Sequence, residues 1–87
     1  MRRRLARKAN AEGSHTAGDI LDLLESQDGL CAYCECALDE SYHVDHMTPL
    51  SRGGSDYPEN LAITCPDCNL RKSNKTAEEY VEALSAA

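Results

Sequence analysis

The residues best suited to chemistry in this chain are cysteines in pairs. Cys31 and Cys34 form one C-x2-C pair, Cys65 and Cys68 form a second, and about thirty residues lie between them. Two intervening residues let both thiolates of a pair converge on one ion, and two such pairs complete the tetrahedron of a closed structural zinc site. Iron held by the same four thiolates, as in rubredoxin-like sites, and two disulfides are the rival readings. Disulfides fit poorly because the N-terminus has no signal-peptide apolar stretch. The chain is therefore expected in the cytoplasm, where thiols stay reduced. Cys36 is left over; a spare thiol is the default reading, and a substitute ligand the alternative. Four sulfurs close the coordination sphere, so Zn2+ there is expected to shape the fold and leave reactivity to other residues.

A second constellation lies between and just after the cysteine pairs. It runs Val44-Asp45-His46-Met47-Thr48-Pro49-Leu50-Ser51-Arg52-Gly53-Gly54-Ser55, then Glu59-Asn60-Leu61, then Asn69-Leu70-Arg71-Lys72 directly behind Cys68. Each piece alone is weak. An Asp-His pair, a Gly-Gly loop, Asn-Leu and C-x2-C-N in this order, bracketed by thiolates, closely resemble the HNH endonuclease family from about Cys31 to Lys75.

The resemblance implies a metal-dependent DNA endonuclease that leaves 5′-phosphate and 3′-hydroxyl ends. It also implies a ββα-metal fold, a hairpin followed by a helix with one catalytic metal between them. His46 matches the family's general base and Asp45 its metal-binding acid. Asn60 matches the middle Asn, which ties down the loop and orients the catalytic His. Asn69 stands where the final His often sits. The chemistry suits these residue types. A neutral imidazole near pH 7 can take the proton from water. A carboxylate and an amide oxygen suit a hard cation, which can neutralise the transition state and the leaving oxygen. Asn in place of His at position 69 favours Mg2+ or Mn2+ over softer ions.

The elements that must hold these groups follow from the sequence. Thr16 with Asp19 reads as a capped helix start, Ile20, Leu21, Leu23 and Leu24 as its apolar face, and Asp28-Gly29 as its stop. That helix is expected to cover the back of the site. Residues 42–46 and 61–64 read as the two strands of an antiparallel hairpin with a wide loop. Pro66 opens a helix to about Ser73. Thr76 with Glu79 caps a last helix whose stripe is Tyr80, Val81 and Leu84. The fold class is thus small α+β, a ββα-metal core with flanking helices, stapled by zinc. One tension arises in the first strand. Adjacent strand residues face opposite ways, so Asp45 and His46 can share one phosphate only if the strand ends or bulges there. His43 and Asp45 do share a face, and His43 is read as pointing to the helix or to solvent. Tyr33, inside the first pair, is read as packing.

Size and charge set the outer bounds. The chain has 87 residues, no Trp and no Phe, so its core needs the help that a metal gives. No apolar run is long enough to span a membrane. The net charge of −6 is awkward for a DNA partner. Local positive charge matters more than the total. Residues 1–15 read as a basic arm with Arg2, Arg3, Arg4, Arg7 and Lys8, and residues 16–87 as the nuclease domain. Arg71, Lys72, Lys75 and Arg52 are the expected phosphate contacts. A non-catalytic zinc module that binds DNA or protein through Lys72 and the arm is the competing reading. A domain of a larger phage packaging or restriction machine is a third. Neither oligomeric state nor sequence specificity is legible.

Overall fold

The computed structural model describes residues 12–86. The first helix, α1 (Ala17–Ser26), starts as its sequence requires: the Thr16 hydroxyl accepts from the Asp19 amide at 3.1 Å, and the Asp19 carboxylate accepts from the Thr16 amide at 2.9 Å. These bonds satisfy amides that the helix itself leaves unpaired. Beyond Gln27, Asp28 and Gly29 turn the chain back with φ of 56° and 70°. The apolar face is covered only in part: Ile20, Leu23 and Leu24 are half-buried. No residue of α1 is buried, and Leu21 is 63% exposed. The helix is fastened by a polar device at its end. The Gln27 amide donates to the Ile63 carbonyl at 2.9 Å, and its oxygen accepts from the Ile63 amide at 3.0 Å. One side chain thus pairs the open edge of a strand as a neighbouring strand would.

The centre is a two-stranded antiparallel sheet, β1 (His43–His46) with β2 (Leu61–Thr64). Its register runs from His43 opposite Thr64 to His46 opposite Leu61. No bulge interrupts it, and β1 ends at His46. All four residues of β2 are buried, whereas β1 buries only Asp45. The wide loop between the strands carries two single-turn 3-10 segments, Leu50–Arg52 and Pro58–Asn60. Gly54 is required where the loop doubles back, because a Cβ there would sit 1.8 Å from the Thr48 carbonyl oxygen.

Two helices close the unit. α2 (Pro66–Lys72) begins with proline in its first turn and ends one residue before the Ser73 expected from the sequence. α3 (Ala77–Ala86) follows the predicted capping box, with Thr76 and Glu79 bonded both ways at 3.0 and 3.2 Å. Tyr80 is buried and Leu84 half-buried, but Val81 is 46% exposed, so the expected stripe narrows to two residues. Tyr80 packs on Cys31 and Cys68 with Tyr33, Leu38, Cys65 and Leu84 around them. The T-shaped Tyr33–Tyr80 pair, centroids 5.3 Å apart, is part of that cluster. Buried Ile63 contributes ~1.5–3 kcal/mol as a core residue. A structural zinc ion, where one binds, is worth ~10–16 kcal/mol, several such residues. Among the described residues, no helix is long and apolar enough to cross a membrane.

Candidate active site and metal centre

The two cysteine pairs meet. The Sγ atoms of Cys31, Cys34, Cys65 and Cys68 all lie within 4.8 Å of one another, and Cys34 and Cys65 are 3.8 Å apart. A tetrahedral ion with sulfurs at ~2.3 Å has edges of about 3.8 Å. The four thiols are thus positioned to hold a metal. Backbone amides prepare the site: Tyr33 N and Cys65 N each donate to Cys31 Sγ at 3.4 Å, and Cys68 N donates to Cys65 Sγ at 3.4 Å. Burial works against ionising Cys31, but these amides and that of Cys34 prevail and bring its thiol down to about 7. Burial pushes Cys68 up to about 12, against the Tyr80 hydroxyl, which favours its thiolate. Cys36 is exposed and shares a hydrogen with Cys34, which raises it to about 12; it stands outside the four-sulfur set.

Beside this centre, Asp45, His46 and Asn69 line one open cleft of about 280 Å³, with Val44, Pro49, Leu50 and Ser73 as its other walls. Asp45 is buried at 6% exposure, and both its oxygens are engaged. Oδ2 accepts from the Tyr33 hydroxyl at 2.9 Å. Oδ1 lies 3.3 Å from Lys72 Nζ and accepts from Asn69 Nδ2 at 3.4 Å. Asn69 also faces His43, its Oδ1 3.1 Å from His43 Nδ1. His43 and Asp45 therefore share the face toward α2, as their spacing demands. His46, one residue on, turns the other way: its Nε2 lies 2.8 Å from Asp56 Oδ1. The strand's end at His46 lets residues on both faces border the same opening.

Asn60 closes the loop from within. Its Oδ1 accepts from Thr48 N at 2.9 Å, and its Nδ2 donates to Thr48 O at 3.0 Å and to Ser55 O at 2.7 Å. These bonds join the two limbs of the loop, at Thr48 and Ser55.

The four expected phosphate contacts separate. Lys72 is a correction: it is 0% exposed, with Nζ on the His46 carbonyl at 3.0 Å and on Asp45. Three residues on from Asn69, it does share that residue's face, but the face turns inward against a buried carboxylate that needs a counterion. Arg52 is exposed and holds Glu79 at 2.7 Å, while Arg71 is exposed and holds Asp67 at 3.0 Å. Lys75 is exposed near the Arg71 carbonyl. Arg2, Arg3, Arg4, Arg7 and Lys8 lie outside the described residues.

Three participants were not visible in the sequence. Tyr33, expected only to pack, ties the first cysteine knuckle to Asp45. Asp56 partners His46. His15 reaches Asp56, with Nδ1 3.2 Å from its carbonyl and 3.4 Å from Oδ2. Tyrosine between two metal-ligating cysteines was the one available signal, because its place in the knuckle limits where the ring can go. The other two are loop contacts across 10 and 41 residues.

Comparison with known proteins agrees with this geometry. The sequence profile of the HNH endonuclease family matches residues 31–75. The chain is also similar to the solved structure of the Type II-C Cas9 enzyme from Actinomyces naeslundii, at 30% identity and a TM-score of 0.67 over 93% of this chain. It spans 10% of that much longer protein. No curated protein matched. The fold, the paired cysteines and the family match together define the class: this chain belongs to the HNH endonuclease family. Family membership and the Cas9 neighbour support a nuclease function in general.

Proposed function

We propose that this chain hydrolyses phosphodiester bonds of DNA, with His46 as general base and a divalent cation beside Asp45 and Asn69. The observation that carries the reading is the single cleft bordered by Asp45, His46 and Asn69. Asp45 supplies a charged oxygen and Asn69 an amide, a donor set that fits Mg2+ or Mn2+. As placed, the Asn69 amide gives its NH2 to Asp45 and its oxygen to His43. A half-turn of the amide would let its NH2 donate to a neutral His43 ring nitrogen and turn its oxygen toward Asp45. Two acceptor oxygens then face each other, an arrangement that a cation between them would satisfy. When bound, the cation neutralises charge on the phosphoryl group and on the leaving oxygen.

The protein's own residues do the rest. His46 takes a proton from water, whose oxygen bonds to phosphorus while the P–O3′ bond breaks; the leaving oxygen regains a proton from solvent. Tyr33, Lys72 and Asn69 fix Asp45 in place. Cys31, Cys34, Cys65 and Cys68 would hold Zn2+, which would supply folding free energy and fix the knuckle that carries Tyr33. Arg52 and Arg71 are exposed where they can exchange surface carboxylates for phosphates, Lys75 is exposed beside them, and surface ion pairs are readily given up. With Lys72 buried, the pure-binding reading loses one of its two supports, Lys72, and is left with the basic arm. Because the chain spans a small part of its Cas9 neighbour, targeting by a larger machine belongs to the same proposal.

The test is plasmid nicking titrated with Mg2+ and Mn2+ for wild type and His46→Ala. Activity is expected in the wild type and a loss on the order of 10²-fold or more in the variant. Equal activity in both proteins, or none with any divalent ion, would refute the proposal.

A further inference from the structure

The loop that Asn60 braces delivers one buried carboxylate to the imidazole. Asp56 is 5% exposed and its Oδ1 stands 2.8 Å from His46 Nε2. Among the described residues, His46 Nδ1 has no hydrogen-bond partner. A carboxylate accepts only, so the hydrogen between them sits on Nε2, and the other nitrogen keeps its lone pair. We propose that Asp56 is a positioning residue for His46: it fixes the ring in the Nε2–H tautomer and leaves Nδ1 to receive the proton from water. This rests on the nuclease reading for its catalytic consequence, but the tautomer does not.

The loop that carries the carboxylate is held at its backbone, and the carboxylate itself has a second imidazole beside it. Its own amide donates to the Glu12 carbonyl at 2.7 Å. Asn60 bonds the preceding carbonyl, that of Ser55, at 2.7 Å. His15 binds on the far side, near Oδ2 at 3.4 Å, so the two carboxylate oxygens serve two different imidazoles. Residues 12–15 lie close over the following residue as well: a Cβ on Gly13 would come 2.5 Å from the Tyr57 ring, and its φ is +95°. The middle Asn thus acts on the base at one remove, by setting the loop that carries Asp56. A negative partner has a second effect. It stabilises the imidazolium formed once the proton has moved, which a neutral acceptor does less well. Asn at position 56 keeps the shape but can turn its NH2 toward Nε2, which would place the hydrogen on Nδ1 and remove the base.

The test reads the ring directly. Nitrogen-15 NMR of full-length wild type is expected to show His46 with hydrogen on Nε2 while the imidazole is neutral. Asp56→Asn, nearly isosteric, is expected to lose that single tautomer and to nick plasmid with kcat lower on the order of 10²-fold and KM little changed. Asp56→Glu should restore part of kcat. Asp56→Ala, checked for metal content and circular dichroism, should resemble Asp56→Asn. Hydrogen on Nδ1 in the wild type overturns the proposal before any variant is made. So does an unchanged tautomer or an unchanged kcat in the Asn variant. A wild type that nicks nothing but shows the Nε2–H ring would sink the nuclease reading and leave the positioning of His46 standing.

Discussion

Replacing Lys72 with Met should be far more damaging to stability than replacement of a surface lysine. Its ammonium is 0% exposed, 3.3 Å from Asp45 Oδ1 and 3.0 Å from the His46 carbonyl. Met keeps an unbranched apolar stem one atom shorter and deletes the ammonium with its charge and its donors. The lost bond to a carbonyl costs about 1 kcal/mol. Leaving one partner of a buried pair uncompensated costs ~3–5 kcal/mol. Asp45 keeps the Tyr33 hydroxyl and the Asn69 amide, which pulls the sum toward the low end, so about 4 kcal/mol is expected. The assay is urea denaturation by circular dichroism with excess Zn2+ and no other divalent ion. Asp45→Asn combined with Lys72→Met should recover about 2 kcal/mol relative to the sum of the single variants, because both charges are then absent. Mn2+ should stabilise Lys72→Met more than wild type, since a cation on Asp45 would replace the missing ammonium. A loss below ~0.5 kcal/mol, the ordinary cost at a surface site, would refute the internal-counterion role.

Other perturbations read separate parts of the site. Tyr33→Phe removes the hydroxyl from Asp45 Oδ2. Burial first, and then the Asp45 charge, push the Tyr33 pKa upward, so the hydroxyl stays a donor at working pH; its removal should cost ~1.5–3 kcal/mol in urea and leave zinc content at one ion. Cys65→Ser should lose zinc and helical circular dichroism together, and chelation of wild type should do the same. Cys36→Ser should change neither, and a drop in zinc stoichiometry in that variant would make Cys36 a ligand. Arg52, with help from the Thr76 amide, holds Glu79 down to about 2. Since the folded-state value is depressed, the pair contributes fully above the ordinary carboxylate range and is lost only as pH falls toward about 2. The Glu79 carboxyl carbon shift should therefore stay flat through the folded range below pH 6, and titrate there in Arg52→Ala.

Local chemistry made much of this molecule legible. Thr16 with Asp19 and Thr76 with Glu79 fix helix starts within a single turn, and Pro66 and Asp28-Gly29 act over equally short spans. The cysteine pairs marked a metal centre because ligand geometry forces a narrow spacing. Alternation along the first strand pointed to an end or a bulge near His46, of which the fold takes the end, and to a face shared by His43 and Asp45. What stayed hidden depends on contacts between distant segments. Leu21 and Val81 lie at helix positions that look apolar, and only the folded chain shows that no other element covers them among the described residues. Gln27 has no sequence signature as a mimic of a paired strand. Asp56 reads as one of several polar loop residues until the loop is folded onto His46. Lys72 has the right spacing for the site's face and the wrong expected role, because only the fold reveals a buried carboxylate opposite it.

The most direct test is a crystal of the full chain grown with Zn2+, soaked in Mn2+ and measured with anomalous diffraction at both absorption edges. Two distinct peaks are expected, zinc among the sulfurs of Cys31, Cys34, Cys65 and Cys68, and manganese between the side-chain oxygens of Asp45 and Asn69. Manganese found only at the thiolates, or nowhere near Asp45 with the cleft open to solvent, would contradict a metal-dependent nuclease site in this chain.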